Sequence, residues 1–359
     1  MASQNLTSGR PDPRITGLLG KAAAGNAGRY IANALPINFN LALVGGAPYF
    51  RGYIRSLPLN QVYGDARAVG TDLLKRGPGQ NYLNLTRERT FSETLFECAE
   101  RSAKVLVDQI EIDRTDDDEI AALNMRDSRA MQLYSTLMDA FEFDVAANVF
   151  STSLFQNAAV GALTGGVQIA WNEAGSSPAR DGVAVKNLIR AQSGVRPSFA
   201  CVSNDVVEAL RYHPETLGVV LRGDATQGIA GAAVPAALLQ DDEVLNIWAR
   251  LWGLRDGLFK FDAMYNSANP AAAGTLAEMA SGVIAFHCAD GLRVPPTQVV
   301  DNVEVFGGAQ SILVLRESEM RGFENETIDP HGLQLAAKHS YDIVAPNALA
   351  AYVLTDVLG

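Results

Sequence analysis

The apolar positions of this chain change period several times, and each change marks an element. Neither Pro nor Gly interrupts residues 115–160. Within them Ile120, Leu123, Met131, Leu133, Tyr134, Leu137, Met138, Phe141, Val145 and Val149 recur at mostly helical spacing. Thr115 is a good N-cap, and Asp116, Asp117, Asp118 and Glu119 place negative charge where the helix dipole favours it. The pattern predicts a helix of ~30 residues, roughly 45 Å long at the standard rise, with Asn124 as the place where it would break.

From 181 to 293 the pattern alternates between short helices and short apolar strands. Val183–Ala191 reads as helix and Phe199–Val202 as a buried strand. Ser203 is placed to cap a helix that His213-Pro214 ends, because Pro cannot continue it. Gly218–Val234 is rich in Gly and Ala and reads as a loop. Leu258–Phe261 and Ser281–Cys288 read as strands, Ile312–Arg316 and Glu326–Ile328 as the arms of a hairpin, Tyr341–Val344 as a strand, and Asn347–Leu354 as helix-like.

Towards the front, residues 1–29 are rich in Gly, Ala, Ser and Pro, with Ile15, Leu18 and Leu19 as their few anchors. Alone, such a segment is expected to be a mobile tail; if ordered, the simplest support is a neighbouring subunit. Residues 60–83 reach a Gly77-Pro78-Gly79 turn, and residues 90–107 hold β-like portions. A long two-armed excursion of this kind has little core of its own and needs something to pack on.

At 359 residues, with 48% hydrophobic and 19% charged, the chain has room for two domains and a sizeable core. No apolar run approaches the ~18 residues that a membrane span needs, and Met1–Arg14 carries no apolar signal core. The three cysteines, Cys98, Cys201 and Cys288, are far apart and form no CxxC pair, so buried free thiols are expected rather than disulfides or zinc. The net charge of -11 is uneven: residues 1–92 hold 11 Lys/Arg against 4 Asp/Glu, and the remainder 18 against 36. A basic front on an acidic body suits contact between subunits, or nucleic acid. Arg10, Arg14, Arg67, Lys75, Arg76, Arg87 and Arg89 stand singly or in pairs, sparser than arms that neutralise many phosphates, which favours subunit contact.

Motifs for catalysis are missing. Gly17-Leu18-Leu19-Gly20-Lys21-Ala22 has the wrong glycine spacing for a phosphate loop, and Ala22 stands where a hydroxyl would meet Mg²⁺. There is no HExxH or GxSxG, and none of His213, His287, His331 and His339 sits four residues from another. His287-Cys288 is the most tempting dyad, but neighbours on a strand point to opposite faces. Asp116–Asp118 and Asp241-Asp242-Glu243 could bind a hard cation; the plainer reading is helix starts. Glu142, on the long helix, is either a paired buried carboxylate or on the wet side. No metal, cofactor or catalytic residue is assigned.

One block carries a resemblance. Trp171-Asn172-Glu173-Ala174-Gly175-Ser176-Ser177-Pro178-Ala179-Arg180-Asp181 is followed by a helix-like stretch to Ser193-Gly194, a Pro197-led strand, a Ser203-started helix and the His213-Pro214 stop. With Tyr30–Pro36 before the aromatic Pro48–Tyr53, and with the long helix, it resembles the major capsid proteins of tailed dsDNA bacteriophages, which have the HK97-type fold. Asn172 and Gly182-Val183-Ala184 depart from the usual family pattern.

The resemblance implies an α+β chain divided as an N-terminal arm and lead-in (1–55), an E-loop hairpin (56–110), a P-domain with a spine helix (111–172), an A-domain (173–305), a P-domain hairpin (306–335) and a return to the A-domain (336–359). It implies a structural, non-enzymatic protein that assembles with itself, as hexamers and pentamers, into an icosahedral shell. The shell would enclose dsDNA without sequence-specific binding. The expected partners are a portal, a separate scaffolding protein and, in some shells, a decoration protein; no membrane partner is expected. The chain begins at Met1, which leads us to expect scaffolding by a separate protein rather than by a cleaved N-terminal segment. The setting would be the virion, assembled in the host cytoplasm. Some shells of this fold form a Lys–Asn isopeptide bond promoted by a glutamate; Lys75 lies where such a lysine would, though no acceptor Asn or Glu is matched. Alternative readings are an encapsulin-like compartment and an α/β enzyme with an unrecognised site.

Overall fold

The computed structural model describes residues 13–25, 30–41, 51–56, 92–108, 119–159, 169–219, 239–262, 264–266, 276–290, 303–307, 309–317, 320–328 and 331–359. Helices include α1 (Pro13–Gly25), α2 (Ile31–Ala34), α3 (Glu119–Val149), α4 (Pro178–Ser193), α5 (Asn204–Tyr212) and α6 (Asp241–Trp252), with a 3-10 turn at Ala348–Ala350. Strands β1 to β6 are Asn38–Leu41, Arg51–Ser56, Ser92–Glu97, Ala99–Asp108, Gln156–Ala159 and Phe199–Ser203. Strands β7 to β12 are Gly257–Phe261, Met264–Asn266, Leu276–Glu278, Ile284–His287, Ala289–Asp290 and Val303–Gly307. Strands β13 to β17 are Ala309–Gln310, Leu313–Glu317, Arg321–Ile328, His331–Val344 and Ala351–Thr355. The chain divides into two units: Met1–Arg51 with Glu97–Val145 and Val314–Ile343, and Gly52–Phe96 with Ala146–Leu313 and Val344–Gly359.

In the first unit, α3 is one unbroken helix of 31 residues, without the break entertained at Asn124. Leu133, Tyr134, Leu137, Met138, Phe141 and Val145 are buried, whereas Met131 is half exposed because it lies off that stripe. The sheet runs β1-β14-β16-β15, with β4 also paired to β16. β4 and β16 are antiparallel from Ala99↔Tyr341 to Asp108↔Gly332, and β15 and β16 from Arg321↔Lys338 to Ile328↔His331. The expected hairpin of 312–316 with 326–328 is therefore corrected: β16 lies between β14 and β15, and the antiparallel partner of β15 is β16.

The expectation of a mobile tail is also corrected for residues 13–25. They form α1, which lies on this chain's own β15. Ile15 and Leu19, one turn apart, are both buried. The seat for Ile15 is Gly322: a Cβ there would stand 2.4 Å from Ile15 Cγ2 and 2.9 Å from its backbone carbon. The Gly322 N–H donates to Thr16 Oγ1 at 3.1 Å.

The second unit is built on the mixed sheet β5-β17-β10-β6-β7. β17 and β10, and β10 and β6, are antiparallel, while β5 with β17 and β6 with β7 are parallel. Helices α4, α5 and α6 pack on it around Trp171, Ile189, Val206, Trp248, Trp252 and Phe286, all at most 1% exposed. Each aliphatic side chain so buried contributes about 1.5–3 kcal/mol of gross stabilisation. The helix-like reading of Asn347–Leu354 is corrected: only Ala348–Ala350 is helical, and β17 continues as a strand of this sheet. Its Ala, Tyr, Val and Leu are buried with no alternation, and a short run of that kind fits a helix or an interior strand equally well.

A smaller sheet, β12-β2-β3, joins the two strands on either side of residues 57–91. The excursion expected over 56–110 thus has β2 and β3 at its base, whereas β4 belongs to the other unit's sheet. The Gly77-Pro78-Gly79 tip lies outside the described residues.

Candidate functional site

Of the basic residues expected at subunit contacts, the structure places Arg14. It is exposed on α1 and, with Lys21, Asp127 and Glu324, lines an open hollow of ≈ 400 Å³. Arg10, Arg67, Lys75, Arg76, Arg87 and Arg89 lie outside the described residues, as do Thr115–Asp118 and most of Gly218–Val234.

The Trp171–Pro214 block resolves into a network of buried polar groups within the second unit. The Trp171 indole N–H donates to Asp181 Oδ2 at 3.0 Å. That explains the spacing: Pro178 opens α4, and Asp181 in its first turn meets the tryptophan that precedes the turn. Burial pushes the Asp181 carboxyl above its usual range, against the Trp171 hydrogen bond, with nearby Glu215 adding to the rise. Trp252 donates to the Pro178 carbonyl at 3.1 Å and Trp248 to Thr216 Oγ1 at 3.0 Å. Gly182, which stands where the family pattern has another residue, admits Trp252, whose Nε1 would lie 2.3 Å from a Cβ.

Ser176, His213 and Glu215 imitate a catalytic triad, but their hydrogen bonds run the wrong way. The Glu215 backbone N–H donates to His213 Nδ1 at 3.2 Å, so the proton sits on Nε2. That Nε2–H faces Ser176 Oγ at 3.1 Å, and the hydroxyl itself donates to the Glu173 carbonyl at 2.8 Å. An imidazole with this tautomer has no lone pair to take the serine's proton. The Glu215 carboxylate accepts from Ser177 Oγ and from the Ala179 N–H instead, at the start of α4. Ser203 stands at the N-cap of α5 and His213 at its C-cap, as expected, but the Ser203 side chain makes no capping bond: its hydroxyl bonds Asp205, whose carboxylate accepts the Val206 N–H.

His287 and Cys288 do not meet as a dyad. The His287 ring contacts Ser311 Oγ and the Val149 carbonyl, both at 3.1 Å, and complete burial holds its pKa down at about 4. Cys288 Sγ faces the Arg196 carbonyl at 3.1 Å. All three cysteines are buried, as expected. Asp241-Asp242-Glu243 is a helix start: Gln240 and Glu243 form a capping box, and Asp241 is bonded to Lys260 and Arg211. Among the described residues no cluster of His, Cys, Asp or Glu could hold a metal.

The question left open for Glu142 is answered within the first unit. It is 2% exposed, on the apolar stripe of α3. Its oxygens accept the Ile31 N–H at 3.1 Å and the Ala32 N–H at 2.8 Å, the first two amides of α2. Burial pushes its pKa up to about 7, against those two bonds, and Asp139 adds to the rise. The spacing of Met138, Phe141, Glu142 and Val145 was a signal that this carboxylate faces inward; its partners, 110 residues away, were not.

No family model matches the chain, and no curated protein matches it. Solved structures do. The chain is similar to a phage-related protein of Bordetella bronchiseptica RB50, with a TM-score of 0.58 and 14% identity over 97% of each chain. It is also similar to a virus-like particle from Pyrococcus furiosus, with a TM-score of 0.46 and 11% identity over 95% of this chain and 97% of that one. For the capsid of cyanophage P-SCSP1u the TM-score is 0.43 and the identity 9%, over 88% of this chain and 85% of that one. The first likeness shows the fold, which is the HK97-like α+β fold expected from the Trp171–Pro214 block.

Proposed function

We propose that this chain is a phage major capsid protein, a structural subunit that assembles with its own copies into a closed icosahedral shell around dsDNA. The observation that carries the reading is the fold likeness to a phage-related protein over nearly the whole of both chains. Two features support it. The most triad-like polar array, Ser176–His213–Glu215, is wired for structure rather than proton transfer, which favours a non-enzymatic role. The chain also carries a basic front and an acidic remainder, which suits copies that lie across one another.

In this reading hexamers and pentamers close the shell through many individually modest interfaces. Arg10, Arg14, Arg67, Lys75, Arg76, Arg87 and Arg89 serve contacts between copies. A portal and a separate scaffolding protein assist assembly in the host cytoplasm, a decoration protein binds the outside of some shells, and the product is the virion head. DNA is enclosed without being read.

The test is electron microscopy of the purified protein, expressed alone and together with its neighbouring reading frames. Uniform closed particles tens of nanometres across are expected, with a DNA-filled form in the phage context. Closed particles that enclose enzymes instead of DNA would mark an encapsulin-like compartment. A monomer or dimer under every condition would overturn the shell reading.

A further inference from the structure

The segment from Tyr30 to Asn38 is bound to α3 in an unusual way. Tyr30, Ala32, Leu35 and Ile37 are buried, and Tyr30 meets Tyr134 of α3 edge to face with ring centroids 6.1 Å apart. The Asn38 side-chain amide binds the carbonyls of Ala32, Asn33 and Leu35. Arg316 of β14 bonds Asn33. The link from the α2 backbone to α3 is Glu142, whose two oxygens take the Ile31 and Ala32 amides. No Lys, Arg or His lies within ion-pair distance of that carboxyl among the described residues.

Among the described residues, an ionised carboxylate here has two amide donors and no countercharge. The donors favour the anion, while burial and Asp139 oppose it, and burial is the largest of these influences. When the segment lifts away, water reaches Glu142 and the anion is no longer penalised.

We propose that docking of Tyr30–Asn38 on α3 is proton-linked through Glu142: the segment is held when the carboxyl is protonated and loosens when it ionises. This is a property of the single chain and stands apart from the shell reading.

The direction follows from linkage. The carboxyl titrates at about 7 with the segment docked, against an ordinary 4.5 when exposed. The docked form therefore binds more protons between those values, and docking is strongest at the acid end and weakens as pH rises. The other ionisable groups packed around the segment among the described residues do not reproduce this trend. Arg316 is charged throughout and bonds Asn33. His339 of β16 is held at about 4 by burial, helped by Arg316. Tyr134 and Tyr341 are pushed upward by burial, which keeps them neutral. Asp139, one turn before Glu142 on α3, acts through the same carboxyl.

Hydrogen–deuterium exchange of the full chain between pH 5 and 8.5, corrected for the intrinsic chemical rate, tests the proposal. Protection of the peptide spanning 30–37 should fall by on the order of 100-fold as pH rises. Glu142→Gln, which cannot ionise, should abolish the pH dependence. Ile31→Pro removes one amide donor while keeping the carboxyl, and Tyr30 at φ -106°, ψ 111° already has the backbone a following proline requires. It should move the transition to higher pH, because the anion loses a hydrogen bond. The idea is overturned if wild-type protection is flat with pH, if Glu142→Gln retains the slope, or if Ile31→Pro moves the midpoint down. Should Glu142→Gln fail to fold, the wild-type slope and the Ile31→Pro shift decide the matter by themselves.

Discussion

Trp171 and Asp181 carry a bond whose removal should be costly and whose joint replacement should not. Trp171→Phe keeps most of the ring but leaves a carboxyl, only 3% exposed, without its donor. The expected loss is about 1–3 kcal/mol of unfolding free energy. In Trp171→Phe with Asp181→Leu no polar atom is stranded, and part of that loss should return. Urea unfolding followed by circular dichroism gives the cycle, and a double variant as unstable as the sum of the singles would contradict it. The sequence showed Trp171, Ser176, Ser177, Asp181 and His213 as a spaced set, because each stands at a turn or a helix end. Which atoms they touch was not visible. Glu215, which bonds Ser177 and the Ala179 amide, follows the His213-Pro214 stop and stands out neither by charge pattern nor by motif.

Helices betray themselves over many residues, and isolated strands do not. The 31 residues of α3 were legible because one apolar stripe runs through a stretch without Pro or Gly. β17 was misread because an interior strand is apolar on both faces, and β14 and β15 were wrongly paired because a partner strand is chosen by tertiary packing, not by nearness in sequence. α1 was missed for a related reason. Its helix has only a narrow apolar edge, and the complement of that edge is an absent side chain, at Gly322. Gly322→Ala should thus undock α1 at a cost of about 1–3 kcal/mol. Trimming Ile15 to Ala should not rescue it, because the new Cβ would also meet Ile15 Cβ at 2.8 Å and its backbone carbon at 2.9 Å. Hydrogen exchange over residues 13–25 reads this directly. Unchanged protection in Gly322→Ala, or full recovery in the double variant, would count against the seat.

Acid should not unfold the two units alike. A buried histidine with a depressed pKa stabilises the fold above its ordinary value and loses that contribution as pH falls, because the unfolded chain then takes up a proton the folded one refuses. In the second unit His287 falls from 6.5 to about 4, and His213 is also lowered, both by burial. For His287 this amounts to roughly 3 kcal/mol lost between those pH values. Asp241 and Asp256 are lowered by their hydrogen bonds to Lys260 and Arg255 and act in the same sense. Only Asp181, raised by burial, opposes them among the second unit's carboxyls and histidines with a resolved shift. In the first unit His339, at about 4, is set against Glu142, at about 7. Glu142 has the opposite sign: its folded carboxyl holds a proton the unfolded one releases, so it adds stability as pH falls from 7 towards 4.5. The two nearly cancel, and the second unit should fail first. The chain's three tryptophans, Trp171, Trp248 and Trp252, all lie buried in that unit, so their emission reports it alone. Emission should shift to the red between pH 6.5 and 4 while exchange protection at Leu133–Met138 persists to lower pH. His287→Gln, whose amide can donate to the Val149 carbonyl and accept from Ser311, should move the emission change to lower pH. Coincident loss of both signals, or loss at Leu133–Met138 first, would show that the two units do not titrate as these buried groups require.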